Sequence, residues 1–358
     1  MTTTSTTTSS LASPPLVDDE FAAAGAPPTA TQPLPSTVNS LKHLCAAPGL
    51  FATIYFDLIA PEPADRWKHV EASLKESGAT PDMIATARRH VVDQDHPDDV
   101  GAIAVMVSET NEYVADYGLE PPATDFVSVD GLPYTAPLLE WVQRRVPHLV
   151  IVVDESGCDI VAFGAKQFAE VVTHEGHLAA LSKPISKAAE LVGAELIVVS
   201  GSPFLSRRLA EDLVLEVAAN VRVVAEQDAT DADELSDATV RHVSDTAARR
   251  TVGFLRELRF MASHNGAVDG TIDTIEAVRR GEAEILLIHN DVLDDRRVWI
   301  GSRPEDISFT AGPSTPVSAR LVDAAIRAAL LTDTKVHIIP STGAQGPRED
   351  AAALRVDR

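Results

Sequence analysis

Two histidines flank a carboxylate in His174-Glu175-Gly176-His177, side-chain types that can hold zinc. Zinc proteases use H-E-x-x-H on a helix, where positions i and i+4 share a face. Here the histidines are three apart, at a turn after a strand, with no third ligand nearby in sequence. The expectation is a polar loop tip and no metal. Asp154 stands where a two-metal nuclease would place its first carboxylate, and such chemistry needs three or four converging acids. The corresponding later strand closes on Val199-Ser200-Gly201 without an acid, and Glu190 and Glu195 are poorly placed substitutes. Asp154 is therefore expected to form a turn with Glu155-Ser156-Gly157. The strings G-x-S-x-G, GxxxxGK[ST] and GxGxxG are absent, so no hydrolase, P-loop or dinucleotide signature calls for a cofactor.

Basic doublets recur at Arg88-Arg89, Arg144-Arg145, Arg207-Arg208, Arg249-Arg250, Arg279-Arg280 and Arg296-Arg297. Singly, each suits a solvated helix face. Together they could form a stripe of guanidinium forks gripping phosphate oxygens. The formal net charge of −23 opposes nonspecific binding to nucleic acid, so any such contact must be local.

Composition sets the frame for these groups. The 358 residues, 45% of them hydrophobic, fit two or three domains of about 100–200 residues. No apolar run approaches the roughly 20 residues of a membrane span. No Lys or Arg precedes Lys42 and no apolar segment suits a secretory signal. Residues 1–38, biased to Thr, Ser, Ala and Pro, are expected to be disordered, with a docking peptide as the alternative. Cys45 and Cys158 have no ligand-type spacing and fit buried thiols in a reducing cytoplasm.

From Ser40 onward the pattern becomes periodic. A short helix to Ala47, strands at 51–58, 101–109 and around 125–131, and helices at 64–79, 81–94 and 133–146 predict an N-terminal α/β domain over 39–145. Three short strands at 148–157, 158–165 and 169–176 predict an antiparallel meander. They are followed by a helix from about 183 to Gly193, strand 194–201, helix 202–220 and strand 221–226. Ser202 before Pro203 suits an N-cap with proline at N1. This β-β-β-α-β-α-β order is that of a ribonuclease-H-like domain, placed at 146–228. An acidic stretch at 225–238 suggests a linker. The last domain, 229–358, alternates helices (238–262, 271–281, 316–332) with strands (284–290, 297–301, 335–340, 352–356). That alternation predicts an α/β/α sandwich.

Three stretches resemble one family. AVDGTIDTIEAVRRGEAEILLIHND is similar to the third domain of archaeo-eukaryotic release factors and Pelota, and GPREDAAALRV resembles that domain's closing strand. LPYTAPLLEWVQRRVPHLVIVVDESGCDIVAFG is similar to the junction of the first two domains in the family's bacterial branch. That branch includes the actinobacterial ribosome-hibernation factors and Balon. The resemblance spans about residues 39–358. It implies a cytoplasmic factor without a membrane anchor that enters the A site of the 70S ribosome. Its middle domain would approach ribosomal RNA, and its third domain would meet a translational GTPase of the elongation factor Tu type. On that account His174, His177, Lys183, Lys187, Arg207 and Arg208 are the candidate ribosome-contacting residues.

Release factors of this family carry Gly-Gly-Gln on a middle-domain loop, where glycine backbone freedom and the Gln amide orient water at the ester. The tripeptide is absent here. Gly164-Ala165-Lys166-Gln167 and Gly343-Ala344-Gln345 are misplaced for it. The long basic, Gly-rich segment that bacterial relatives insert before the middle-domain helix is also missing between His177 and Lys183. A catalytic residue is therefore not expected, and the anticipated function is a non-catalytic hibernation or stress factor. Residual peptidyl-tRNA hydrolysis, and a protein-interaction role without ribosome binding, are the alternatives.

Overall fold

A computed structural model describes residues 34–96, 100–116, 125–164, 169–175, 177–216, 219–224, 232–291, 294–312, 314, 316–340, 347 and 351–355. The N-terminal part begins with helix α1 (Leu34–Ala46) and strand β1 (Phe51–Asp57). Helices α2 (Pro63–Glu76) and α3 (Pro81–Val91) follow, then strands β2 (Ala102–Ser108), β3 (Glu112–Asp116) and β4 (Phe126–Asp130), and helix α4 (Ala136–Arg144). Helix α1 starts at Leu34, inside the segment expected to be disordered; residues 1–33 lie outside the described residues. The sheet runs β3-β2-β1-β4, all antiparallel. Thr80 caps α3, its side chain accepting from Met83 N ahead of Pro81.

That sheet is buried on both faces. Ile54, Phe56, Ile103 and Val105 pack against Trp67, Val70, Leu74 and Met83 of α2 and α3. The alternate residues Phe51, Tyr55, Ala104 and Met106 join α1, α4 and the C-terminal domain in a second core. Strand alternation thus splits one run between two cores.

The middle domain follows the expected order. Strands β5 (His148–Val153), β6 (Gly157–Phe163) and β7 (Ala169–Glu175) form the antiparallel meander. Helix α5 (Leu178–Val192), strand β8 (Leu196–Gly201), helix α6 (Pro203–Glu216) and strand β9 (Asn220–Val223) complete it. The sheet order is β7-β6-β5-β8-β9, with β5, β8 and β9 parallel. This is the ribonuclease-H-like arrangement. Helix α5 begins five residues earlier than the expected Lys183, because Pro184 lies inside the helix rather than at its start. The longer helix turns Leu181, Ile185 and Ala189 into the core at i, i+4 and i+8. It ends at Gly193, whose φ of 63° is the left-handed C-cap conformation that glycine adopts without strain.

Helix α7 (Ala232–Ala262) replaces the second half of the expected linker. Leu235, Ala238, Val243 and Ala247 cover the middle sheet, whereas Phe254, Leu255, Leu258 and Met261 cover the C-terminal one. At 31 residues it is about 46 Å long, enough to serve both.

The C-terminal domain contains β10 (Ala267–Asp269), α8 (Thr271–Arg279), β11 (Ala283–His289), β12 (Arg297–Ile300), β13 (Ile307–Ser308), β14 (Val317–Arg320), α9 (Leu321–Leu331), β15 (Lys335–Ile339) and β16 (Ala351–Arg355). Its main sheet runs β10-β16-β11-β15 between α7 on one side and α8 and α9 on the other, the expected α/β/α sandwich. A second sheet, β13-β12-β14, was not foreseen. The helix expected from Pro316 starts only at Leu321, because Val317–Arg320 pairs with β12 instead.

The second core is locked by polar contacts. Arg327, wholly buried on α9, donates to Cys45 O (2.8 Å), Ala46 O (3.1 Å), Ser302 O (2.9 Å) and Arg303 O (3.3 Å). It thereby caps the last carbonyls of α1, where a cation also meets the helix dipole favourably. At Gly131 a side chain would lie 2.3 Å from Ser318 O, so only glycine lets β4 approach β14 there. The Gln143 amide pairs with both the N–H and the C=O of Ile338, closing the free edge of β15.

Candidate functional site

The middle-domain tip is short. β7 ends at Glu175 and α5 begins at Leu178, so two residues join them. His174 is half-buried and pairs in register with Cys158, on the helix-covered face of the sheet. His177 is exposed and occupies the N-cap of α5 without a side-chain cap bond. Among the described residues no three His, Cys, Asp or Glu side chains gather to hold a metal.

Asp154 does what its sequence context suggested. Its Oδ1 accepts from Ser156 N (2.7 Å), Ser156 Oγ (2.6 Å) and Gly157 N (3.0 Å). These bonds to Ser156, then Gly157, hold its pKa below the usual carboxylate value. The group is a turn former occupied on one oxygen by three donors.

Lys183 and Lys187 project from α5 at i and i+4, exposed on one face, and Arg207 and Arg208 are exposed on α6. The two helices pack side by side on the same face of the middle sheet. The structure therefore brings these four cations to one helical layer. Arg208 is already engaged by Glu211 (3.5 Å) and Asp212 (3.6 Å) one turn away. Lys183, Lys187 and Arg207 make no ion pair with another described residue.

The other doublets are mostly neutralised. Arg88 meets Asp93, Arg89 meets Glu112, Arg144 meets Glu140, and Arg250 meets Glu195 at 2.6 Å. Arg279 and Arg280 both meet Glu276, Arg296 meets Asp294, and Arg297 forks onto Asp130 with contacts of 2.6 and 3.1 Å. The expected phosphate-facing stripe is thus broken up by local carboxylates. Among the described residues, Arg145 and Arg249 join Arg207 as doublet members without an acid partner.

Arg145 belongs to a place the sequence did not mark. Its guanidinium stacks 3.7 Å from the centre of the Trp141 ring, and burial lowers its pKa to about 10. Nearby, the His148 and Phe163 rings stack in parallel, 4.5 Å apart. Only the Trp141-to-Arg145 spacing, one helical turn, offered a signal in the sequence.

Both cysteines are buried and unpaired by disulfide; burial raises Cys45 to about 12 and Cys158 to about 11. Gly343-Ala344-Gln345 lies outside the described residues, as does all but Gly164 of the other candidate string. No described helix is long and apolar enough to cross a membrane.

No family model and no curated protein matches the chain. Among solved structures it is similar to archaeal Pelota from a model of ribosome-bound Pelota and ABCE1, at 14% identity and a TM-score of 0.43, over 90% of this chain and 94% of that one. It is also similar to Archaeoglobus fulgidus Pelota (13% identity, TM-score 0.37, covering 89% and 92%). For S. cerevisiae Dom34, a translation termination-like factor that interacts with Hbs1, the values are 11%, 0.38, and 71% and 79%.

Proposed function

We propose that the protein is a non-catalytic, ribosome-associated translation factor that occupies the A site of the 70S ribosome during dormancy or stress. The observation that carries this reading is the two-residue junction between Glu175 and Leu178, at the place where the resemblance implies a long basic, Gly-rich segment. A tip this short has no extended backbone to orient water at an ester, so the action is steric. Lys183, Lys187 and Arg207 supply phosphate contacts on the exposed layer of α5 and α6. A GTPase of the elongation factor Tu type would meet the C-terminal domain, again on the resemblance alone.

A second reading, a protein-interaction module without ribosome binding, is favoured by the same layer. Phe204, Val214 and Leu215 are exposed on α6, Leu215 at 86%. The two readings separate in one experiment. Purified protein is sedimented with 70S ribosomes from stationary-phase cells at low and high salt, and peptide release from loaded ribosomes is measured in parallel. Co-sedimentation at low salt without release is expected. Absence from the ribosomal fractions at low salt would leave the interaction module as the better account. Peptide release that disappears on deleting residues 174–187 would instead assign hydrolysis to the tip.

A further inference from the structure

A cavity of about 800 Å³ opens where α4, the β5–β6 hairpin, α7 and the end of β15 come together. That volume is typical of sites for small organic ligands. Its walls are largely apolar, with Val150, Val161, Leu235, Val243 and Ala247 among them, and no described Asp or Glu lines it. Into this surface stands Arg145, held flat over Trp141 and making no ion pair with a described residue. Half-buried and without a carboxylate partner among the described residues, this guanidinium keeps donors and charge available to an anionic group entering the cavity.

Another part of the lining is aromatic. His148 and Phe163 are register partners on β5 and β6, and their rings are within 8° of parallel. The His148 Nδ1–H donates to Val146 O (2.7 Å), and burial lowers the imidazole pKa, so the ring is neutral with Nε2 as an acceptor. The cavity therefore offers the Arg145 guanidinium, a neutral imidazole acceptor and aromatic and aliphatic walls, with Ser236, Thr239 and Ser244 hydroxyls in the lining and Arg144 already paired with Glu140.

We propose that this cavity binds a small anionic ligand with a planar apolar body, its anionic group held by Arg145 and its body against the His148–Phe163 wall. This goes beyond ribosome association and does not depend on it. Because the walls come from the N-terminal helix α4, the middle hairpin, α7 and Pro340 after β15, such a ligand links all three parts of the molecule. Occupancy consequently opposes their separation, and the ligand stabilises the arrangement it binds.

The test uses 8-anilinonaphthalene-1-sulfonate, an anion with a planar naphthalene body, titrated into the full chain while dye emission and tryptophan emission are followed. One saturable site is expected, with tryptophan quenching at Trp141 that Trp141→Phe reduces. Arg145→Gln should weaken sulfonate binding about tenfold or more, as loss of a charged hydrogen-bonding partner does. Arg145→Lys should retain most of it. The uncharged analogue N-phenyl-1-naphthylamine should bind wild type and Arg145→Gln alike, and Ala247→Phe, which puts a ring into the cavity, should weaken both. No saturable binding, unchanged sulfonate affinity in Arg145→Gln, or full binding in Ala247→Phe would each overturn the proposal. If Arg145→Gln proves unfolded by circular dichroism, the Ala247→Phe and Arg145→Lys titrations decide it.

Discussion

In the seam between the N-terminal sheet and the C-terminal domain, ionisable groups are enclosed or held in one geometry by specific partners. On the outer layer of the middle domain, charged groups stand in solvent with few fixed partners. Arg327 is enclosed and spends its donors on four backbone carbonyls from two separate segments. Asp130 is held by both prongs of Arg297, and Asp323, buried at the start of α9, has Arg320 at 3.8 Å while its Oδ1 lacks a hydrogen-bond partner. Lys183, Lys187 and Arg207 are exposed and unconstrained by comparison. Charge in the seam specifies how the two domains fit; charge on the layer is left available for something else. The contrast shows why net charge is a poor guide here, since many of the arginines are committed to structure.

Breaking the seam should cost most at Arg327. Arg327→Met leaves the carbonyls of Cys45, Ala46 and Ser302 without their donor inside the core. A loss on the order of 3 kcal/mol is expected in urea unfolding, since buried orphaned acceptors carry full desolvation cost. Arg297→Gln should cost less, about 1–2 kcal/mol, because the pair with Asp130 is bidentate but half open to water on the arginine side.

Asp323 sharpens the comparison through pH. Burial, opposed by Arg320, raises its pKa to about 8. Its folded value lies above the unfolded carboxylate value, so the native state holds the proton more tightly. Stability from this group is complete below pH 4 and declines as pH rises towards 8. Asp323→Asn should remove that decline, leaving melting temperatures near wild type at pH 5 and above it at pH 9. An unchanged pH profile in the variant would show that the group does not titrate in this window. At the other extreme, Lys183→Gln and Lys187→Gln should change stability by less than about 0.5 kcal/mol. A larger change would mean that these side chains are structural after all.

Much of this architecture was legible in the sequence, for identifiable reasons. β5, β8 and β11 are built on runs of Val, Ile and Leu, and the turn at Asp154 and the stop at Gly193 use residues whose conformational preference is strong. The start of α7 was not legible. Ala232–Asp237 has the acidity of a linker, yet Asp233 and Glu234 in the first turn favour a helix N-terminus, and only Leu235 and Ala238 mark the buried face. The helix expected from about residue 183 starts at Leu178, with Pro184 internal to it. β10 and β13, three and two residues long, are too short for any periodicity. The candidate cations were nameable as charges, but whether an arginine is free or paired depends on neighbours such as Glu195 for Arg250, 55 positions away. The cavity beside Arg145 depends on four elements at once and has no local signature.

The most direct test of the account measures ribosome binding by the layer that the seam leaves free. Association of wild type and of the Lys183→Glu, Lys187→Glu, Arg207→Glu triple variant with 70S ribosomes should be quantified at two salt concentrations. The account predicts salt-sensitive binding by wild type, strongly reduced in the triple variant while its melting temperature is kept. Equal binding by both proteins, or none by wild type at low salt, would contradict it.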